Sequence, residues 1–156
     1  MRLSTKGRYA VTSMLSLAIH DQRETVTLAD VSRNQGISLS YLEQLFAKLR
    51  KHHLVEGVRG PGGGYRLAKP LDQITVAQIV TAVDERENEY DGATANKAHD
   101  QQALTRKVWS ELSARFYKFL DSITLAELAN GPEARKSAEV NSKRDAGQQM
   151  AKRSAA

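Results

Sequence analysis

The order of signals between Thr27 and Pro70 narrows most what this chain can become. "TLADVS" opens a helix: Thr27 is a capping residue, Asp30 three positions on favours the positive end of the helix, and Leu28 and Val31 face inward. "NQGIS" then supplies a short turn through Gly36. The next helix carries Leu39, Leu42, Leu45, Phe46 and Leu49 as an apolar stripe. Ser38 or Ser40 caps it, and Ser40 with Glu43 has capping-box spacing. Two strand-like stretches follow, at about 54–59 and 65–68, joined by "GPGGG".

That glycine run has two readings, because glycine-rich loops also cradle phosphates. A Walker-type loop needs Gly-Lys-Ser/Thr and then a helix whose N-terminus meets the anion. Here Gly64 is followed by "YRLAKP", which alternates and ends at a proline. A dinucleotide fingerprint needs G-x-G-x-x-G between a strand and a helix, and Pro61-Gly62-Gly63-Gly64 has neither the spacing nor the helix. The run reads as a hairpin tip. Pro61 fixes one turn, and the glycines permit positive φ and close backbone approach.

Further helices flank this unit. Residues 9–19 place Ala10, Val11, Met14, Leu15 and Ala18 on one face. "TVAQIVTAVD" is capped by Thr75, with Gln78 three later, and carries Val76, Ile79, Val80 and Val83 on one side. From Asp84 to Ala103 no period survives, and the stretch reads as a loop. A long helix is expected from near Leu104, where Leu104, Val108, Leu112, Phe116, Phe119 or Leu120, and Ile123 recur every three to four residues. Twenty such residues reach about 30 Å, long for a domain this size to cover by itself. The stripe is therefore core and, more specifically, a candidate dimer seam. "TLAEL" adds a short helix with Thr124 and Glu127 at capping-box spacing, and residues 131–156 read as a disordered tail.

A hairpin directly after three helices is the order of a winged helix-turn-helix, whose third helix lies in the DNA major groove. The expected fold is mainly α with a small β wing. Residues 1–83 form the DNA-binding domain, 84–103 a sensor-type loop, 104–130 a dimerisation helix with a short C-terminal helix, and 131–156 the tail. The outward residues of the third helix are Ser40, Tyr41, Glu43, Gln44, Lys48 and Lys51. Gln reads adenine, Glu accepts from cytosine, and Ser and Tyr bond phosphates. Arg59 stands at the base of the wing, placed for a minor groove, and the tip glycines let the backbone approach phosphates.

Charge supports a polyanion partner. Residues 1–80 hold 11 Lys/Arg against 6 Asp/Glu, while 81–156 hold 12 against 12, so the whole net charge of +5 lies in the first half. The chain has no cysteine, which excludes disulfides, thiolate metal sites and a cysteine nucleophile. The apolar "YAVTSMLSLAI" is interrupted by Thr12, Ser13 and Ser16, and no small-residue cleavage site follows it. No apolar stretch approaches the ~20 residues of a membrane span. A soluble, intracellular protein without membrane contact is expected. His52 and His53 are adjacent and, on a helix, point about 100° apart, while His20 and His99 are isolated, so an enzyme is not expected. Two other classes stay open from the residues alone: a dimerising interaction module that does not bind DNA, and a small enzyme using His99 and the acidic loop.

"MRLSTKGRYAV", "QGISLSYLEQLFAKLRK", "LVEGVRGPGGGYRLAKP" and "ITLAELAN" resemble the IscR family of bacterial iron–sulfur cluster regulators, which are winged-helix repressors. The match runs from Met1 to about Asn130. The resemblance implies a cytoplasmic homodimer on two-fold operator sites, regulating iron–sulfur assembly or stress genes by repression and also activation, with RNA polymerase as a further partner. It implies that the long helix crosses its partner's copy. By position, Ser38, Ser40, Tyr41, Glu43 and Gln44 become recognition contacts, and Arg59 with Gly60, Pro61, Gly62, Gly63 and Gly64 the wing. The resemblance further implies that Glu43 helps decide which operator class is accepted when the iron–sulfur cluster of that family is absent.

The sensing half departs from the pattern. The family's 2Fe–2S cluster rests on three cysteines before the long helix and a histidine just inside it. Ala103 stands at the last cysteine position, Arg106 at the histidine, and Ala93, Ala95 and Ala98 crowd the same loop. Alanine offers no donor where soft sulfur would match the metal, so no cofactor is expected. Alanines substituted for cysteines and a branch that natively dropped the cluster both fit this loop.

Overall fold

Hydroxyl side chains start five helices of this chain, and each does so by the same contact. Ser4, Thr27, Ser38, Thr75 and Thr124 accept a hydrogen bond from the backbone N–H three residues on, at Gly7, Asp30, Tyr41, Gln78 and Glu127. Each such cap is worth about 1 kcal/mol. The helices are α1 Thr5–Ile19, α2 Leu28–Gln35, α3 Leu39–Lys51, α4 Val76–Val83 and α6 Leu125–Asn130, with α5 at His99–Asp121. Thr75 and Gln78 complete a full capping box. Ser38 is the cap of α3, so Ser40 lies inside the helix and its box with Glu43 does not form. The computed structural model describes residues 3–20, 24–84 and 99–132. The anticipated tail beyond residue 132, Ala93, Ala95, Ala98 and the acidic stretch lie outside the described residues.

Gly36 ends α2 in the left-handed conformation at φ 66, and its N–H bonds the Ser32 carbonyl. This tight turn sends α3 across α1 and α2. Met14, Leu17, Val31, Leu42, Leu45, Phe46, Leu49, Leu54, Ile74, Ile79, Val83 and Leu125 fill the core between them. Leu39, expected on that stripe, is 42% exposed. It is the first residue of α3 and precedes the part of the helix that packs.

Strands β1 Val55–Val58 and β2 Gly64–Leu67 pair antiparallel, from Val55 opposite Leu67 to Val58 opposite Gly64. A third backbone segment joins them. The N–H of Val26 bonds the Tyr65 carbonyl at 2.9 Å, and the N–H of Tyr65 bonds Val26 at 2.8 Å. The wing is thereby laced to the approach to α2.

Helix α5 begins at His99, five residues before the expected start near Leu104. "HDQQA" has no apolar period to announce a helix, yet it holds no Gly or Pro to prevent one. The C-terminal end of α5 packs on α4: Leu120 is buried with Val76 and Ala77, and Phe116 and Ile123 lie against them half-buried. The Thr75 hydroxyl donates to Asp121 Oδ1 at 2.9 Å, and Val76 N–H bonds the Ile123 carbonyl at 2.9 Å. Helix α6 then returns Leu125 to the main core. The end of α5 and α6 thus pack on the body formed by α1 to α4. No helix among the described residues is long and apolar enough to cross a membrane.

Candidate nucleic-acid interface

The cap and first turns of α3 leave Ser38, Ser40, Glu43 and Gln44 exposed to solvent. Tyr41 is half-buried, and its ring meets that of Tyr9 from α1 nearly edge-on, at 84° with centroids 6.0 Å apart. Residues at the start of the second helix of a helix-turn-helix are those that reach base edges. Ser38, Ser40, Tyr41, Glu43 and Gln44 therefore share one end of the helix, and Lys51 lies at the other. Lys48 does not join them. It is half-buried, and its Nζ donates to the Val83 carbonyl at 3.4 Å, at the C-terminus of α4. Its long stem carries the ammonium away from the direction its helical position suggests.

In the wing, Arg59 is exposed directly after β1. Gly60, Pro61, Gly62 and Gly63 form a turn closed by Gly63 N–H to the Gly60 carbonyl at 2.9 Å. Pro at the second place and a positive φ of 72 at Gly62 mark it as type II. The next two glycines are required by contacts. A Cβ on Gly63 would stand 2.5 Å from the Val58 carbonyl oxygen, and one on Gly64 would stand 2.7 Å from that of Val26. The Thr25 hydroxyl donates to the Gly62 carbonyl and ties the tip to the body. On the strands, Arg66 pairs with Glu56 at 2.6 Å. The turn after Arg59 is thus closed on itself and tied to the residue two before the cap of α2. Arg8 and Lys6 on α1, and Arg50 and Lys51 on α3, are also exposed.

Tyr9 is the residue that reading the sequence missed. It lies off the apolar stripe of α1 and is 40% exposed, and an aromatic residue off the stripe was the available signal. The side chain of His99 lies outside the described residues. His20 Nδ1 lies 2.7 Å from the Ser16 carbonyl, and His53 terminates α3. Among the described residues no group of three or more His, Cys, Asp or Glu is arranged to hold a metal ion.

A helix-turn-helix with an exposed polar first turn, flanked by a glycine-tipped hairpin, defines a winged-helix DNA-binding protein. The Rrf2 family, described as iron-dependent transcriptional regulators, matches residues 3–131, and the chain belongs to that family. It is 53% identical over 135 residues to the HTH-type transcriptional regulator IscR of Sodalis glossinidius, covering 85% of this chain and 81% of that one. It is 52% identical over 138 residues to IscR of Erwinia tasmaniensis, with the same coverage. Among solved structures, T. potens IscR superposes with a TM-score of 0.66 at 38% identity, over 82% of this chain and 85% of that one. The oxidised form of Staphylococcus aureus CymR superposes at 0.69 with 30% identity, over 84% and 98%. The chain is a DNA-binding transcription regulator, in a family of regulators rather than enzymes.

The donor set for an iron–sulfur cluster does not fit this chain. It has no cysteine anywhere, so no thiolate ligation is available. Arg106, expected where the histidine ligand would stand, is an exposed cation on α5.

Proposed function

We propose that the chain is a homodimeric, operator-specific regulator that reads DNA with the first turns of α3 and the wing, and does so without a thiolate-held cluster. The observation that carries this reading is the exposure of Ser38, Ser40, Glu43 and Gln44 at one end of α3, together with an exposed Arg59 at the base of a hydrogen-bonded wing turn. With that end in the major groove, Gln44 faces adenine edges and Glu43 a cytosine amino group. The hydroxyls of Ser38, Ser40 and Tyr41 bond phosphates. Arg59 enters a minor groove, and the backbone of the Gly60–Gly64 turn runs beside a phosphate strand.

The second copy is supported by α5. Val108 and Phe119 are each 62% exposed, Trp109 58% and Leu112 43%, an apolar run that one copy leaves open. Leu104 belongs to this seam by spacing, and Phe116, Leu120 and Ile123 form its base on α4. A dimer sets two α3 helices against a two-fold operator, in the cytoplasm, where repression follows from denying RNA polymerase the promoter. Iron–sulfur assembly or stress genes are the proposed targets, by relation to IscR. The alternative of a dimeric module without DNA binding has no observation in its favour.

Selection of bound sequences from a random DNA pool, followed by shift assays on the purified chain, tests the reading. A two-fold consensus is expected, with affinity that falls steeply as salt rises. No enrichment would sink it. Anaerobic reconstitution with iron and sulfide is expected to give no stoichiometric cluster by absorbance and iron content, and a stoichiometric cluster would refute the cluster-free form.

A further inference from the structure

The C-terminal turn of α4 is fastened in two directions at once. Asp84, its capping residue, extends a carboxylate to the start of α1, where the Ser4 hydroxyl donates to it at 2.5 and 2.7 Å. An acid at a helix C-terminus opposes the dipole of its own helix, whereas one beside a helix N-terminus is favoured. Asp84 is the C-cap of α4 and lies at the N-terminus of α1, and the second position offsets the first. Room for it exists because residue 7 is glycine. A Cβ there would stand 3.3 Å from Asp84 Oδ2, 3.3 Å from Ser4 Oγ and 3.4 Å from Val80 Cγ1. Ser4 meanwhile caps α1 by accepting from Gly7 N–H at 2.9 Å. One hydroxyl therefore starts α1 and holds α4.

The other fastening runs to the recognition helix. Lys48 Nζ donates to the Val83 carbonyl, the residue before Asp84, and brings a cation to the negative end of α4. Lys48 lies ten residues beyond the cap Ser38, about 15 Å along the α3 axis. A tilt of about 5° pivoting at Lys48 displaces the first turn of α3 by about 1.3 Å. Functional geometry tolerates only about 0.5 Å.

We propose that Lys48 and Asp84 are positioning residues for DNA recognition: by clasping the end of α4 to α3 and to α1, they set the angle at which the first turns of α3 meet the operator. This rests on α3 being the reading helix. It assigns Lys48 a part other than the phosphate or base contact its sequence position suggests. The clasp makes the C-terminus of α4 part of the support of the reading surface.

The test separates a positioning group from a phosphate contact. Affinity for a selected operator and for random-sequence DNA is measured against salt for the full chain, Lys48→Met, Lys48→Arg, Asp84→Ala and Asp84→Asn, with thermal unfolding alongside. Lys48→Met is expected to weaken operator binding about fivefold, the worth of one hydrogen bond. Random-DNA affinity and the salt slope stay as they were, and Lys48→Arg restores the operator affinity. Asp84→Ala is expected to act likewise, and Asp84→Asn, which keeps an acceptor for Ser4, to retain binding. Where Asp84→Ala lowers folding, Lys48→Met carries the test alone. The proposal is overturned if Lys48→Met reduces the salt slope by about 0.9 and weakens both DNAs equally, the mark of a lost phosphate contact. It is also overturned if folded Lys48→Met binds operator as the parent does. A parent chain that selects no DNA refutes the function reading instead, so the two failures are distinct.

Discussion

The ring of Tyr9 meets the ring of Tyr41 edge to face, 6.0 Å between centroids, and joins α1 to α3. Such pairs are worth about 0.5–1.5 kcal/mol beyond the area they bury. Tyr9 is partly exposed, so its loss removes little core. Tyr9→Ala is expected to cost about 1 kcal/mol of stability and to weaken operator binding severalfold, because Tyr41 loses the contact that orients it. Tyr9→Phe keeps the pair and should bind within about twofold of the parent. Fluorescence anisotropy with a selected operator reads this. Equal losses for Ala and Phe would transfer the effect from the ring to the hydroxyl.

The wing glycines divide into two kinds. A Cβ on Gly62 has open space around it but a positive φ, whereas Cβ atoms on Gly63 and Gly64 run into backbone oxygens. Gly62→Ala is expected to cost about 1–2 kcal/mol. Gly64→Ala should cost more, because Val26 must then move and both Val26–Tyr65 hydrogen bonds would be strained by the shift. Urea unfolding gives the order, and Gly62→Ala as the worse of the two would contradict this account.

These glycines also show what was legible in the chain and what was not. The run read correctly as a hairpin tip, since no helix or Lys-Ser/Thr follows it. Why Gly64 must be glycine depends on Val26, 38 positions earlier, which no local pattern reveals. Caps at Thr27, Thr75 and Thr124 were legible because both partners lie within four residues. Lys48 was not: helical period fixes where a stem leaves the backbone, and four methylenes let the ammonium choose another direction. The early start of α5 and the return of Leu125 to the core escaped for the same kind of reason. The first has no apolar signal, and the second is a long-range contact.

His53 has φ 56, the one described non-glycine residue in the left-handed region. It stands at the C′ place of a Schellman end to α3: Leu54 N–H reaches the Leu49 carbonyl and His53 N–H that of Arg50, both at 3.0 Å. Leu49 and Leu54 are both buried, which supplies the hydrophobic partner of that motif. Glycine adopts this conformation without a Cβ penalty. His53→Gly is expected to stabilise the fold by about 0.5–1 kcal/mol, offset in part by glycine's greater unfolded entropy. A lower denaturation midpoint for His53→Gly would mean that the imidazole makes a contact worth more than the strain.

The apolar residues of α5 answer to two different partners, and substitution should separate them. Leu120 is buried against Val76 and Ala77 of its own chain, while Leu112 is 43% exposed. Leu120→Ala is expected to cost about 2–5 kcal/mol of intrachain stability, the usual range for a buried leucine. Leu112→Glu leaves that core intact and places a charge in the proposed seam. Sedimentation should then show a folded monomer at concentrations where the parent is a dimer. Operator binding should weaken sharply, because two half-sites no longer bind as one unit. If Leu112→Glu sediments as the parent does and binds as tightly, the seam lies elsewhere on the molecule.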